Sequence, residues 1–334
     1  MRSFLDPVDV ESLPIIYFVL PCYNEVEGLE HTAEVLHQKI SQLVAASKIS
    51  EQSRILFVDD GSKDGTWELI EKLHNMNGSL FGGVKLAHNR GHQNALYAGL
   101  MEAYKAGCDA AISMDADLQD DVNAADEMIK QFSEHHCEIV YGVRSSREKD
   151  TWFKRNTAEL FYSIFAWMGA ETVPNHADYR LMGRASLEAL SEYNEVNLFL
   201  RGIVPTLGFK TGKVYYERGV REAGESKYPL KKMIAFAIEG ITSFSTKPLK
   251  LVTSIGVLSI LVGLAMLVYV IASVFTNHAV VGWGSMMCSL WLIGGFLMLS
   301  LGIVGEYVGK IYLESKRRRA IALKRSLISE ITDE

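Results

Sequence analysis

The sequence predicts an α/β fold with a mostly parallel, Rossmann-like sheet, followed by interfacial helices and a two-helix membrane anchor. Short apolar runs rich in β-branched residues alternate with helical patterns four times, which is typical of a parallel sheet covered by helices. Each apolar run ends in a cluster of polar, turn-forming residues. Near residue 250 the composition changes sharply, and two long stretches carry no charged residue.

The predicted sheet contains five buried strands. Continuous apolar runs of four to eight residues are typical of strands that are buried on both faces. These runs lie at 15–20, 54–58, 83–87, 110–114 and 138–143. Helical patterns separate them, the first from about Val26 to Ala46, the next through Leu69 and Leu73, and a third that ends near Ala106.

The polar clusters at the strand ends predict a ligand site. Right-handed crossovers place the carboxyl ends of parallel strands along one edge of a sheet, where open α/β sheets bind ligands. The clusters are Tyr23-Asn24-Glu25, Asp59-Asp60, Asn89-Arg90 and Asp115-Ala116-Asp117. One polar turn is usually only a turn, but four that converge predict a nucleotide-sized site. The sequence has neither a Gly-x-Gly-x-x-Gly fingerprint nor a Walker phosphate loop, which favours a metal-dependent nucleotide site.

Asp115 and Asp117 are the candidate metal-site acids. They follow the apolar run 110–114, and in extended backbone residues two apart point the same way. Carboxylate oxygens at this spacing suit Mg²⁺ or Mn²⁺ held together with the phosphates of a substrate. The alternative from this motif alone is a solvated turn, because Asp is a common turn residue.

Length and composition exclude several classes of protein. The 334 residues are enough for one large domain and an appendage, and the formal charge of -6 argues against a nucleic-acid binder. The four cysteines are scattered, as expected of free thiols in a reducing compartment. Residues 1–14 lack the apolar core of a signal peptide.

The C-terminal third is predicted to anchor the protein in the cytoplasmic (inner) membrane. Residues 251–275 and 280–303 are charge-free, and each stretch exceeds the roughly 20 residues that cross a bilayer. Lys and Arg residues flank the two stretches but are absent from the link 276–279, so both termini are expected in the cytoplasm. The predicted organisation is a cytoplasmic domain at 1–228, a juxtamembrane amphipathic segment at 229–250, membrane helices at 251–275 and 280–304, and a basic cytoplasmic tail at 305–334.

Three motifs together resemble the family-2 glycosyltransferases with a GT-A fold. They are LPCYNE at 20–25, VDDGSKDGT at 58–66 and DADLQD at 115–120. Within that family the chain looks like the polyprenyl-phosphate glycosyltransferases, the group of dolichol-phosphate mannose synthase and the bacterial bactoprenol glucosyltransferases. One departure is Asp121, where the family often has proline, and it loosens the turn after the acidic motif.

The resemblance assigns a donor site and a metal site. It implies that Asp59 contacts the uridine of a sugar nucleotide and that Asp115 meets the nucleotide or the sugar. It also implies that Asp117 and Gln119 hold Mg²⁺ or Mn²⁺ against the diphosphate. The other nucleotide-sugar residues it implies are Pro21, Tyr23, Glu25 and Asn89.

An acceptor-phosphate site is expected after the fifth strand. Arg144, Arg147 and Arg155 lie beside a run of aromatic residues, which is expected of a helix at a bilayer interface. Their guanidinium groups would bind the phosphate of a lipid at the membrane surface. The alternative is an ordinary amphipathic helix with solvated charges.

Two further motifs match the family on the acceptor side. The resemblance places Asp178, in the Asp-Tyr-Arg-Leu stretch, beside the acceptor, where it is either the general base or an orienting group. A phosphate monoester has a second pKa of about 6, so removal of a proton is of limited value near neutral pH. The resemblance also implies that Arg221 and Lys227, with Ser226 between them, embrace the donor and acceptor phosphates.

The expected activity is inverting transfer of a sugar from a UDP-sugar, with UDP-glucose preferred, to undecaprenyl phosphate. UDP-N-acetylglucosamine and similar sugar nucleotides remain alternative donors. The other two alternatives are a processive polysaccharide synthase and a catalytically inactive membrane scaffold. No nucleic acid is expected as a partner, and glycine-rich stretches such as Gly294-Gly295 would allow close helix packing in a homo-oligomer.

Overall fold

A computed structural model describes residues 13–145, 176–193, 198–217, 249, 252, 254, 255, 258, 261, 282–315 and 322–328. These residues belong to two compact units. The first unit holds residues 13–145, the described residues between 176 and 217, and 322–328, and the second holds the described residues between 249 and 315.

The first unit is an α/β domain built on one mixed, eight-stranded sheet. Its strands are β1 Ile16–Cys22, β2 Arg54–Asp59, β3 Phe81–Leu86, β4 Ala110–Ser113, β5 Ile139–Arg144, β6 His176–Gly183, β7 Thr211–Tyr216 and β8 Leu323–Leu327. Their order across the sheet is β7-β5-β6-β4-β1-β2-β3-β8. Strands β6 and β8 run antiparallel to their neighbours, and all the other pairs are parallel.

Six helices in the described part of this unit accompany the sheet. They are α1 Val26–Ala45, α2 Thr66–Met76, α3 His92–Lys105, α4 Ala124–Ser133, α5 Arg184–Ser191 and α6 Leu200–Thr206. The first helix shows why they form: Leu29, Ala33, Leu36, Ile40 and Leu43 recur every three or four residues and are all buried. Strand β1 is buried along almost its whole length, as its continuous apolar sequence predicts.

The predicted Rossmann-type α/β fold is confirmed, and the five predicted strands all form within one or two residues of their predicted positions. Three further strands, β6, β7 and β8, were not predicted. Strand β8 lies within the segment that was predicted only as a basic tail, and it pairs with the edge of β3.

The second unit contributes one long described helix, α7, at Trp283–Ser315. Over the part of the chain that the structure describes, no helix is at once long and apolar enough to span a membrane. Most of the predicted membrane helix at 251–275 lies outside the described residues.

Helix α3 packs tightly against the centre of the sheet, and Gly99 makes that approach possible. A Cβ atom at position 99 would lie 2.5 Å from Val19 Cγ1 on β1 and 2.5 Å from Val58 Cγ2 on β2. Valine side chains are stiff, so neither methyl group can rotate away without strain. Only glycine therefore brings α3, whose first residues reach the ligand-binding edge, this close to β1 and β2.

Gly99→Ala is expected to destabilise the domain by about 1–3 kcal/mol, the usual cost of overpacking a core. The measurement is the unfolding midpoint of the purified full chain. Gly28→Ala is the matched control, because Gly28 lies in α1 and nothing approaches its Cβ position within 4 Å. Equal midpoints for Gly99→Ala and wild type would contradict the packing argument.

Candidate active site

Four parallel strands end together at one edge of the sheet. Strands β4, β1, β2 and β3 are neighbours in that order and run in the same direction. Strand β6 runs the opposite way, so its first residues come to the same edge. The segments that follow β1 to β4 and the start of β6 thus supply the polar groups of a single site.

The segments after β1 and β2 bind each other. The amide N–H groups of Asn24 and Glu25 donate to Ser62 Oγ and Thr66 Oγ1, each at 3.0 Å. In return, the amide of Lys63 donates to Asn24 Oδ1 at 3.0 Å. Asn24 has a φ of +55°, a conformation that asparagine tolerates better than most residues. These contacts fix the backbone of the segment after β1, which is predicted to bind the nucleotide base.

The side chains predicted to line the nucleotide base vary in exposure. Tyr23 is 43% exposed, while Pro21 and Glu25 are half-buried. An exposed tyrosine ring on a fixed turn offers a flat surface on which a base can stack. Asn89, the other residue predicted for the nucleotide, is exposed on the turn after β3.

Asp59 is fully buried at the end of β2. Its Oδ1 accepts a hydrogen bond from the amide of Ser62 at 2.8 Å, and its Oδ2 lies 3.8 Å from Lys85 Nζ. Oδ2 has no hydrogen-bond partner among the described residues. Because buried polar atoms are nearly always satisfied, this oxygen can accept a hydrogen bond from an N–H of a bound base.

Asp60, the neighbour of Asp59, has a different role. Its two carboxylate oxygens accept hydrogen bonds from the amides of Arg90 at 2.7 Å and Gly91 at 2.9 Å. Gly61 has a φ of +69°, and a Cβ atom there would lie 2.7 Å from the backbone nitrogen of Asn89. Asp60 and Gly61 therefore hold the turn that leads into α3.

The candidate metal loop follows β4. Thr32 Oγ1 donates to the carbonyl of Ala116 at 2.8 Å, and the amide of Gln119 donates to Asp117 Oδ1 at 3.2 Å. Between these groups Leu118 has a φ of +50°, a strained conformation for a branched residue. Asp117 is half-buried and Gln119 is buried. Thr32, which lies outside the loop, thus helps to fix its backbone.

The electrostatics of this loop suit a cation. Burial raises the pKa of Asp115, and the carboxylates of Asp120, Asp178 and Asp117 add to the rise against the opposing charge of His92. Within the described ranges, no group of three or more His, Cys, Asp or Glu residues forms a metal site. Few protein ligands are expected for Mg²⁺ or Mn²⁺ that is completed by substrate phosphates and water. The oxygen atoms of Asp115, Asp117 and Gln119 are of the type that these metals prefer.

Asp178 is the most heavily contacted carboxylate of the site. Oδ1 accepts from Arg180 Nη2 at 2.6 Å and from Arg201 Nε at 3.2 Å. Oδ2 accepts from Arg201 Nη2 at 2.9 Å and from Gln93 Nε2 at 3.1 Å, and His92 Nε2 lies 3.4 Å away. The backbone is fixed as well, because Ser113 Oγ donates to the carbonyl of Asp178.

These contacts decide the protonation state of Asp178. Burial alone would raise its pKa, but the hydrogen bond from His92 and the charges of Arg201 and Arg180 hold that pKa well below its usual range. A carboxylate that binds protons this weakly, with both oxygens already occupied by donors, is a poor general base. Of the two roles that the sequence left open, the geometry favours orientation.

His92 connects the two acidic parts of the site. Its Nε2 lies 3.6 Å from Asp115 Oδ1 and 3.4 Å from Asp178 Oδ2. Burial opposes the charged ring, but the hydrogen bond to Asp178 and the charges of Asp115 and Asp178 outweigh it and raise the pKa of His92. The imidazole ring therefore lies between the candidate donor side and the candidate acceptor side.

Arg144 is engaged within the protein. Its Nη2 donates to Asp120 Oδ1 at 3.2 Å and its Nε to Tyr216 Oη at 3.3 Å, while Tyr216 Oη donates to the same Asp120 oxygen at 2.6 Å. The side chain of Arg144 is 30% exposed. Its predicted contact with the acceptor phosphate stays a prediction, as does the set of Arg147, Arg155, Arg221, Ser226 and Lys227, which lies outside the described residues.

Sequence reasoning missed the residues that hold Asp178. His92 and Gln93 begin α3, directly after the Asn89-Arg90 cluster, and neither was predicted to have a role in the site. Arg201 lies in a mainly apolar stretch with no motif that was recognised. A contact between residues 93 and 178 depends on the antiparallel direction of β6, which the sequence pattern did not predict.

Comparisons with known proteins agree with the geometry. The family described as Glycosyl transferase family 2 matches residues 17–191. The glycosyltransferase YkoT of Bacillus subtilis is 45% identical over 320 residues, which are 96% of this chain and 94% of that protein.

Two relatives have names that state an acceptor. A protein of Escherichia coli named prophage bactoprenol glucosyl transferase homolog is 34% identical over 93% of this chain and 98% of its own length. The bactoprenol glucosyl transferase of Shigella phage SfV is 35% identical over 92% of this chain and 98% of its own length.

Asp178→Asn is expected to lower the free energy of unfolding by about 3–5 kcal/mol, because it leaves the buried Arg180 without a counter-charge. Asp115→Asn is the matched control: it removes repulsion from three carboxylates as well as the attraction to His92, so its stability should stay close to that of wild type. The midpoints of denaturant unfolding in metal-free buffer measure the stability of both variants. Wild-type stability for Asp178→Asn would contradict the anchoring role.

The raised pKa of His92 makes its contribution to stability pH-dependent. A pKa above the ordinary value of about 6.5 means that the stabilisation is complete below pH 6.5 and is lost as pH rises through the higher folded-state pKa. The difference in unfolding free energy between wild type and His92→Gln should therefore shrink with rising pH. A difference that grows above neutral pH would contradict this account.

Proposed function

Because the chain belongs to glycosyltransferase family 2, we propose that it transfers a sugar from a UDP-sugar to a polyprenyl phosphate. UDP-glucose is the proposed donor and undecaprenyl phosphate the proposed acceptor, since relatives at 34–35% identity are named bactoprenol glucosyl transferases. The product would be a polyprenyl-phosphate sugar. UDP-N-acetylglucosamine is the alternative donor.

One observation carries the proposal: the acidic loop after β4 lies at the same edge of the sheet as Arg180 and Arg201, the two arginines that bind Asp178. Asp115 and Asp117 suit a cation bound to a diphosphate, whereas Asp178 faces the two guanidinium groups of Arg180 and Arg201. His92 contacts both sides, because its Nε2 lies 3.6 Å from Asp115 Oδ1 and 3.4 Å from Asp178 Oδ2. A site that receives a metal-bound diphosphate on one side and an anionic acceptor on the other needs this separation of charge.

The proposed reaction is a direct displacement with inversion. An oxygen of the acceptor phosphate forms a bond to the anomeric carbon, and the bond from that carbon to the UDP oxygen breaks with its electron pair on UDP. Asp117 and Gln119 would hold a divalent cation, which would supply positive charge against the leaving diphosphate. Asp59 accepts a hydrogen bond from the base, and Tyr23 covers one face of it.

No protein base is required for this step. The second pKa of a phosphate monoester is about 6, so the acceptor is already ionised near neutral pH. Asp178 then has an orienting role, because it keeps Arg180 and Arg201 in place and its lowered pKa keeps it charged throughout.

We further propose a membrane anchor at the cytoplasmic face, with both termini in the cytoplasm. The charge-free stretches 251–275 and 280–303 and their basic flanks support it. Large apolar side chains that are more than half exposed along α7 support it too, because a continuous apolar surface needs an apolar environment. They are Met286, Leu290, Ile293, Leu297, Leu299, Leu301, Val308 and Ile311.

The proposed activity is tested with the purified full chain, labelled UDP-glucose, a short polyprenyl phosphate and Mg²⁺ or Mn²⁺. The expected result is a labelled lipid that appears only when both substrates are present. Parallel reactions with UDP-N-acetylglucosamine and UDP-galactose identify the donor. A labelled polymer would favour a processive synthase, and no labelled lipid with any donor would favour a scaffold.

Metal dependence is a separate prediction. Asp117→Ala should lose transfer activity by at least about 100-fold, the usual effect of removing a group that stabilises developing charge. It should also weaken Mn²⁺ binding measured by electron paramagnetic resonance in the presence of UDP. Asp121→Asn, an exposed neighbour in the same segment, is the matched control. Full turnover in excess chelator would contradict the metal assignment.

A further inference from the structure

The candidate metal loop, residues 115–121, is anchored on both sides of its proposed metal ligands. On one side Thr32 Oγ1, from α1, donates to the carbonyl of Ala116 at 2.8 Å. On the other side Asp120 is buried, although a carboxylate in a turn is normally solvated. The proposed ligands Asp117 and Gln119 lie between these two anchors. The fold thus fixes the loop just before and just after the residues that would hold a cation.

Three polar side chains meet at Asp120. Tyr216 Oη donates to Asp120 Oδ1 at 2.6 Å, and Arg144 Nη2 donates to the same oxygen at 3.2 Å. Arg144 Nε also donates to Tyr216 Oη at 3.3 Å, so that each of the three contacts the other two. Burial and the charge of Asp120 raise the pKa of Tyr216, and its phenol therefore keeps the proton that it donates. These three residues are called the Asp120 cluster below.

The sheet holds both partners of Asp120 in place. Arg144 ends β5 and Tyr216 ends β7, and the two residues are paired in the parallel register of these strands. The ring of Tyr216 packs edge-on against that of Tyr179 on β6, with 5.4 Å between the ring centroids. Tyr179 Oη in turn donates to the carbonyl of Asp121 at 3.1 Å. Residues from β5, β6 and β7 therefore all contact the end of the candidate metal loop.

The loop depends on such support because its backbone is strained. Leu118, which lies between the two proposed ligands, has a φ of +50°, and a conformation of this kind persists only when the surrounding structure enforces it. Repulsion adds to the strain. Burial raises the pKa of Asp115 against the charge of His92, and among the carboxylates that add to the rise Asp120 contributes most. The ion pair with Arg144 offsets the charge that Asp120 brings to the loop.

Resting on the proposed function, we propose that Asp120 is a positioning residue for the divalent cation, and that Tyr216 and Arg144 act through it. Partners of this kind fix the direction of the groups that contact a metal, and their loss usually lowers metal affinity about 10- to 100-fold. This role for Arg144 differs from the acceptor-phosphate contact that the sequence predicts. The two roles have different consequences for binding and kinetics.

The test measures the Kd for Mn²⁺ in the presence of UDP by electron paramagnetic resonance, which requires no turnover. Tyr216→Phe removes the hydroxyl but keeps the ring, and Asp120→Ala removes the acceptor. Each change should raise the Kd for Mn²⁺ at least about tenfold in the full chain. The double variant should bind Mn²⁺ no more weakly than Asp120→Ala, because Tyr216 acts through Asp120. An unchanged Kd in Asp120→Ala, or additive losses in the double variant, would overturn the proposal.

Arg144→Gln separates the two roles of that arginine. If Arg144 acts through Asp120, the Kd for Mn²⁺ and the KM for UDP-glucose should both rise, whereas the KM for a short polyprenyl phosphate should not change. A raised acceptor KM with an unchanged Kd for Mn²⁺ would assign Arg144 to the acceptor and overturn its place in the Asp120 cluster.

Tyr17→Phe is the matched control for Tyr216→Phe. Tyr17 is fully buried on β1, and its hydroxyl has no hydrogen-bond partner among the described residues. Loss of that hydroxyl should leave the Kd for Mn²⁺ unchanged. Unfolding midpoints show whether each variant is folded. If Asp120→Ala does not fold, the Kd of Tyr216→Phe decides, and a wild-type value would overturn the proposal.

The same measurements separate this inference from the proposed function. If Mn²⁺ binds to wild type with UDP and binds more weakly to Tyr216→Phe, but no sugar reaches the polyprenyl phosphate, the proposed function fails and the positioning role stands. If wild type transfers the sugar and Tyr216→Phe binds Mn²⁺ as tightly as wild type does, the positioning role fails and the proposed function stands.

Discussion

The site depends on one carboxylate, that of Asp178, which the fold places between two arginines. It reaches the ligand-binding edge because β6 runs antiparallel between β4 and β5, so that the start of β6 lies where its neighbours end. Burial would otherwise favour the neutral acid. The guanidinium groups of Arg180 and Arg201, with the hydrogen bond from His92, reverse that preference and keep the group charged. Asp178 therefore holds two guanidinium groups at this edge, and its lowered pKa favours the proposed orienting role over that of a base.

On the candidate donor side, carboxylates take the place of the arginines that surround Asp178. Around Asp115 most of the neighbouring charged groups are carboxylates, and they raise its pKa together with burial. The backbone there is held in a strained conformation at Leu118, and external contacts from Thr32 support it. Strain and repulsion of this kind persist only where the rest of the fold compensates for them. A divalent cation held by Asp117 and Gln119 would lower this repulsion.

Much of the fold could be predicted from the sequence because buried parallel strands have continuous apolar sequences. Strand β6 escaped prediction since Asp178 and Arg180 interrupt its apolar residues, and their pairing with each other and with groups from distant segments makes them acceptable in a core. Strand β8 escaped because its sequence, LKRSL, is typical of a solvated tail, and it stays largely exposed at the sheet edge. The acidic residues after β2 and β4 were predictable, because the carboxyl ends of parallel strands meet at one edge of a sheet. Arg201 and His92 do not, because their roles arise from contacts between distant segments.

The most direct measurement is an experimental structure of the protein with UDP, Mn²⁺ and a short polyprenyl phosphate. The account predicts that the acceptor phosphate lies on the side of His92 that carries Asp178, while Asp178 keeps its contacts with Arg180 and Arg201. Asp117 and Gln119 would hold the metal on the side of His92 that carries Asp115. A phosphate oxygen hydrogen-bonded directly to the carboxylate of Asp178, with Arg201 turned away, would contradict the orienting role and restore that of a base.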